Sequence, residues 1–148
     1  MIVFTTTDSV DSDLSPNPFK TEDTHLTAKE GSCVRINCSA AYPGNSARHT
    51  LGWFWLKNAE WNVTLKDFTG TVMYSSNTQR HPVTQDFARR VTYIGSDHFR
   101  PGSRCDLFIS DLQKADTGNY AFRFVGKSES KWITEPVNLT VQGKLTYQ

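Results

Sequence analysis

The 148-residue chain has no apolar run of about 18 residues, so no segment of it reads as a membrane-spanning helix. It has no CxxC pair and its four His are scattered, which argues against a structural zinc site. Charge of one sign is not in excess either. Sixteen Lys and Arg meet fifteen Asp and Glu, a net charge of +1. Such a balance offers no electrostatic footprint for nucleic acid or for an anionic membrane surface. Ser, Asp and His are present without a nucleophile motif to frame them. His49, His81 and His98 fall in expected loops and His25 in the first expected strand, none with a catalytic partner. The chain is therefore read as a non-enzyme that needs no cofactor and no metal. The apolar start Met1-Ile2-Val3-Phe4, followed at once by Thr, is too short and too polar to read as a signal peptide. If the protein is extracellular, the expectation is a fragment, a mature form or a gene model lacking an exon.

What is there describes one soluble globular unit. Hydrophobic residues make up 37% and charged residues 21%. Residues 1–18, rich in Thr, Ser, Asp and Pro, are expected to be a disordered leader. Beyond them, short runs of β-branched and aromatic residues alternate with polar ones and are separated by Gly, Pro, Asn and Ser clusters. Strands are expected near 18–29, 32–40, 50–57, 70–76, 88–95, 104–111, 119–126 and 131–142. One helical turn is expected around 113–117. This pattern is all-β and fits a sandwich or a barrel.

Three cysteines, Cys33, Cys38 and Cys105, imply one disulfide and one leftover thiol. Strand alternation puts Val34, Ile36 and Cys38 on one face and Cys33 on the other. The same parity turns Cys105, Leu107 and Ile109 inward. Cys38 and Cys105 therefore both face the core, 67 residues apart. A bridge closing such a loop contributes roughly 4 kcal/mol in the chain-entropy model. Sequons at Asn37, Asn62 and Asn138 agree with the secretory pathway.

The stretch Asp111-Leu112-Gln113-Lys114-Ala115-Asp116-Thr117-Gly118-Asn119-Tyr120 resembles the corner between strands E and F of an immunoglobulin variable-type domain. There Tyr120 is the corner tyrosine and Asp116 pairs with a basic residue opening strand D, for which Arg90 is the candidate. Trp53-Phe54-Trp55 is strand C. Trp53 and Trp55 share a face and Phe54 takes the other, and either face satisfies the pattern. Two residues after Tyr120, where such domains carry their second core cysteine, stands Phe122. The usual bridge between strands B and F cannot form, and the core-facing alternative is Cys105 on strand E.

Taken with Glu30-Gly31-Ser32-Cys33-Val34-Arg35-Ile36-Asn37-Cys38, Tyr42-Pro43, Arg104-Cys105-Asp106-Leu107-Phe108-Ile109, Tyr120-Ala121-Phe122-Arg123-Phe124 and Lys131-Trp132, the chain resembles the N-terminal V-set domain of the Siglec family, the sialic-acid-binding immunoglobulin-like lectins. The resemblance spans roughly 19–142. It leaves 143–148 as the expected stub of a linker to a following domain. It implies an immunoglobulin V-set sandwich of two antiparallel sheets, with a Cys38–Cys105 disulfide inside one sheet. It implies that Cys33 bonds to the next immunoglobulin domain. It further implies a ligand-binding arginine on strand F, which is Arg123 here, and a strand G tryptophan, which is Trp132. Phe19 is the candidate for an aromatic contact from strand A.

Parity agrees for Arg123. With Tyr120, Phe122 and Phe124 inward, Ala121, Arg123 and Val125 point out. If Val137, Leu139 and Val141 face the core, Trp132 and Thr134 point out as well, unless Pro136 marks a bulge that flips the parity. The implied ligand is terminal sialic acid on glycoproteins or glycolipids, met by the extracellular part of a plasma-membrane protein. A protein-binding V-set receptor domain is the rival reading. An antigen-receptor variable domain is disfavoured by the missing strand F cysteine.

Overall fold

A computed structural model describes residues 17–41, 50–126 and 131–143. The expected leader up to residue 16, Tyr42-Pro43, His49 and the expected linker from residue 144 lie outside the described residues.

The main sheet is built on the longest strand, β5 (Thr50–Asn62), which turns back into β6 (Asp67–Ser75). On the other side of β5 lies β9 (Gly118–Gly126), paired in register through Phe122–Trp55, Arg123–Phe54 and Phe124–Trp53. The outer edge of β9 meets two short strands in succession, β10 (Lys131–Ile133) and β11 (Val137–Gln142). Parallel to β11 runs β2 (His25–Lys29). The opposing layer holds β3 (Val34–Ile36), β8 (Cys105–Ile109) and β7 (Val91–Gly95), in the order β3-β8-β7. It is extended by β1 (Phe19–Thr21) paired with β4 (Cys38–Ala40), which a Ser39–Arg104 bridge ties to the β8 side. This is a V-set sandwich, as the sequence leads one to expect.

Three expected strands are interrupted. The segment 18–29 breaks after Thr21 because its halves serve different layers, β1 with β4 and β2 with β11. The segment 32–40 breaks at Asn37, and 131–142 breaks at 134–136. Strand 50–57 instead runs on to Asn62. Asn58 and Lys66 take positive φ values of 55° and 54°, and the register slips between Lys57 and Glu60. The turn is closed by Leu65 N–H on the Asn62 side-chain oxygen and Lys66 N–H on the Asn62 carbonyl. Residues such as Glu60 and Trp61 on this arm are exposed, so no apolar alternation marks it as strand. A one-turn helix α1 (Gln85–Ala88), unexpected from sequence, buries Phe87 against the Arg90 guanidinium at 5.0 Å.

Trp55, Phe122, Ile36, Leu107, Ile109, Tyr120, Val137 and the Cys38–Cys105 bridge fill the space between the layers. Both strand C tryptophans turn to this core, Trp55 fully buried and Trp53 at its rim against Phe99. Phe54 takes the opposite face and is buried there too, in a second cluster with Leu56 and Val125. No helix of the described residues is long and apolar enough to cross a membrane.

Two buried carboxylates, Asp116 and Asp106, lock the sandwich. Arg90 grips both oxygens of Asp116 at 2.7 and 3.0 Å, and the Tyr120 hydroxyl donates to the Asp116 carbonyl. Burial pushes the Asp116 carboxyl up. The Arg90 hydrogen bonds, the Gln113 N–H and the charges of Arg90 and Lys57 outweigh that and hold it below the usual range. Asp106, which parity turns away from the core, is nonetheless fully buried. It accepts from Arg35 at 2.6 and 2.9 Å, from Arg104 at 2.9 Å and from the Cys38 N–H at 2.7 Å.

Candidate functional site

The face of the main sheet that points away from the sandwich core carries Arg123. A polar residue at this parity is ordinarily solvated. Here it is only 5% exposed, between Ala121 and Val125, which are buried as well. The cover comes from β6 and the segment after it. The Phe68 ring lies 5.0 Å from the Arg123 guanidinium, a cation–π contact. The His81 ring packs on Phe54 at 4.0 Å. Burial pushes the His81 imidazole down, and the charges of Arg80 and Arg123 add to that, with Asp67 opposing.

A buried guanidinium needs a counter-charge. Asp67 supplies it, one carboxylate oxygen accepting from Arg123 Nη2 at 2.8 Å and also from the Phe68 N–H at 2.7 Å. The pairing uses half of the fork. Arg123 Nε is buried and has no partner among the described residues. Nε and Nη2 form one side of the guanidinium, the side on which a carboxylate takes two parallel bonds. Two hollows flank the covering residues. One of about 210 Å³ is bounded by Ala59, Phe68, Ala121, Ile133, Glu135 and Pro136. The other, about 240 Å³, is bounded by Leu65, Asp67, Phe68, Thr69, Arg80 and His81. Phe68 is common to both.

The remaining sequence-derived candidates do not gather around Arg123. The residue opposite Arg123 is Ile133, whereas Trp132 pairs with Phe124. Trp132 therefore turns to the core side, its ring 6.0 Å from Phe124 and 6.3 Å from Phe19. Thr134 does not point out either. It is buried, its hydroxyl accepting the Phe122 N–H at 2.9 Å while its own N–H donates to the Phe122 carbonyl. A side-chain oxygen thus stands in for a ladder carbonyl between β10 and β11, and parity counted back from Val137 fails across it. Phe19 is a core residue, stacked at 5.1 Å on Phe124 and edge-on at 5.2 Å to Phe99. The free thiol Cys33 is exposed. Of the sequon residues, Asn138 is exposed on β11, Asn62 lies half-buried in the turn after β5, and Asn37 is half-buried between β3 and β4.

Sequence reasoning missed Asp67, Phe68 and His81. Their roles depend on how far the β5–β6 arm extends, and the polar, exposed arm gives no periodic signal for that.

A family model described as the first Ig-like domain of B-cell receptor CD22-like proteins matches residues 28–144. The chain is similar to mouse (Mus musculus) B-cell receptor CD22, 32% identical over 123 residues, which is 80% of this chain and 13% of that protein. It is similar to mouse sialic acid-binding Ig-like lectin 5, 33% identical over 68% of this chain and 16% of the relative. Mouse myeloid cell surface antigen CD33 is 34% identical over 68% of this chain and 23% of its own length. The chain thus spans less than a quarter of each of these relatives.

Proposed function

The chain belongs to the family of CD22-like first immunoglobulin-like domains, the N-terminal V-set domains of the Siglecs, and from that premise we propose that it binds terminal sialic acid. It is an extracellular domain of the kind carried by plasma-membrane proteins. Its proposed partners are sialylated glycoproteins and glycolipids, and its proposed role is cell adhesion or immune-cell regulation. Recognition is reversible and involves no catalysis.

The observation that carries this reading is the unpartnered Nε of Arg123. An N–H donor buried without an acceptor is costly to keep. A sialic acid carboxylate accepting from Nε and Nη2 together would satisfy it and would make the bidentate pair that Lys cannot reproduce. Charge-assisted bonds of this kind contribute about 1.5–3 kcal/mol, or roughly 10–100-fold in affinity. In this reading Ile133, opposite Arg123, provides the apolar contact beside the sugar. Trp132, Thr134 and Phe19 support β9 and β10 from within. One charge pair on a shallow face binds weakly, so avidity would come from clustering many copies on a membrane. The domain is taken to span 19–142, with Cys33 bonded to a following domain and glycans on Asn62 and Asn138.

The rival reading, a protein-binding V-set domain, draws on a different observation. Arg123 is already paired, and the end of β5 and the turn after it expose Trp61 by 52%, Val63 by 77% and Leu65 by 65%. A multivalent fusion of the domain on a sialylated glycan array separates the two, with wild type beside Arg123→Ala and a check that both are folded. Sialic-acid-dependent binding that disappears in the variant supports the lectin. A folded wild type that binds no sialoside, and binds cells equally after sialidase treatment, supports the protein receptor.

A further inference from the structure

We infer that Asp67 is a built-in competitor for the ligand's carboxylate, and that Phe68 is the lid that moves with it. This rests on the sialic-acid reading of Arg123. The argument starts from what Asp67 does on its own. It places a carboxylate oxygen 2.8 Å from Arg123 Nη2, one of the two atoms that an anionic ligand would use. Arg123 donates there through Nη2 alone and leaves Nε without a partner. A ligand carboxylate accepting from both atoms therefore makes a more complete pair than Asp67 does. Two carboxylates at Nη2 repel each other, so the ligand and Asp67 compete for that atom.

Displacement is feasible from the geometry. Asp67 opens β6, immediately after the turn in which Lys66 has positive φ, and its side chain is 22% exposed. The ring that follows it, Phe68, lies on the guanidinium and lines both hollows. If the start of β6 swings out, Asp67 and the Phe68 ring leave the guanidinium together and uncover Arg123. The free domain is then an equilibrium between a self-paired arginine and an open one. Ligand affinity is reduced by the fraction that is closed. A site closed nine times in ten loses roughly 10-fold in apparent affinity.

The test titrates the folded chain with 3′- and 6′-sialyllactose by NMR, with carbon-13 in the Asp67 carboxyl, for wild type, Asp67→Asn, Asp67→Ser and Arg123→Ala. The expected result is sialoside binding roughly 10-fold tighter in both Asp67 variants than in wild type, and none in Arg123→Ala. In wild type the Asp67 carboxyl resonance shifts as ligand saturates the site. Binding by the Asp67 variants where wild type shows none supports the same conclusion for a more firmly closed site. If wild type binds through Arg123 but the folded Asp67 variants bind equally or more weakly, the competitor is overturned and the lectin stands. An Asp67 resonance that stays fixed at saturation overturns it too. If neither wild type nor the Asp67 variants bind sialoside, the lectin reading falls and the competitor with it.

Discussion

Trp55 donates its indole N–H to the carbonyl oxygen of Cys105 at 2.9 Å, from the main sheet to the bridged strand of the opposing layer. This hydrogen bond crosses the sandwich where the disulfide does not. The Cys38–Cys105 bridge stays within one layer, since it joins β4 to β8, which the Ser39–Arg104 bridge places side by side there. Phe122 replaces the missing cysteine of strand F, with its ring 5.6 Å from that of Trp55. The two layers are therefore held together by packing and by this one indole contact at the centre. Trp55→Phe removes the donor and leaves a cavity. It is expected to cost about 2–4 kcal/mol. In urea unfolding the midpoint should fall with the slope unchanged. An unshifted midpoint would show that the cross-layer contact contributes nothing.

Asp106 is the fully buried carboxylate that two arginines and one backbone N–H share. Arg104 also reaches Glu22 at 3.0 Å, so the cluster ties the start of the chain to β8. Removing one member of a buried pair leaves charge uncompensated, at a cost of about 3–5 kcal/mol. Arg35 and Arg104 are partly exposed and regain water, so Asp106→Ala is expected near the lower end, about 3 kcal/mol. In wild type, raising the salt should weaken the cluster little, because the carboxylate has no solvent contact. A variant as stable as wild type in chemical denaturation would sink this assignment.

The sandwich was legible because its strands obey alternation wherever one face meets the core. Ile36 and Cys38, Cys105, Leu107 and Ile109, and Val137, Leu139 and Val141 are all buried at the parity that the sequence implies. Legibility ends where a second layer of cover lies on the outer face. Arg123 has the outward parity expected of it, yet Phe68 and Asp67 bury it, and neither is near it in sequence. Trp132 was misplaced by one irregularity, the Thr134 hydroxyl that takes the place of a carbonyl in the ladder. Asp106 lies at the parity that faces away from the core and is buried all the same, because parity reports which side a residue faces and not what lies on that side.

Cys33 is the exposed thiol of the described residues, while Cys38 and Cys105 are fully buried in their disulfide. In this chain an alkylating reagent should add once under native, non-reducing conditions, at Cys33. Peptide mass spectrometry reads the position. In a longer native protein with a second domain, the proposed interdomain bond predicts no addition until a reductant is supplied. Alkylation of Cys33 in that longer protein without reduction would eliminate the bond.

The Arg90–Asp116 pair makes a prediction about acid. The Asp116 carboxyl is held below its ordinary range in the folded domain. The unfolded chain then takes up its proton first as pH falls. The pair's contribution is fully present above the unfolded pKa of about 4 and is lost as pH drops through the lower, folded value. Wild type should therefore lose stability steeply below about pH 4. Asp116→Asn should be less stable at neutral pH by about 3 kcal/mol, since Arg90 stays buried and keeps only the exposed Asp86 carboxylate at 3.5 Å. Its stability should also change less between pH 4 and pH 2 than that of wild type, because the group that titrates is gone. Thermal unfolding of both proteins across that range checks the slope. Parallel acid limbs would place the acid sensitivity on another carboxylate and leave the corner pair with a purely geometric role.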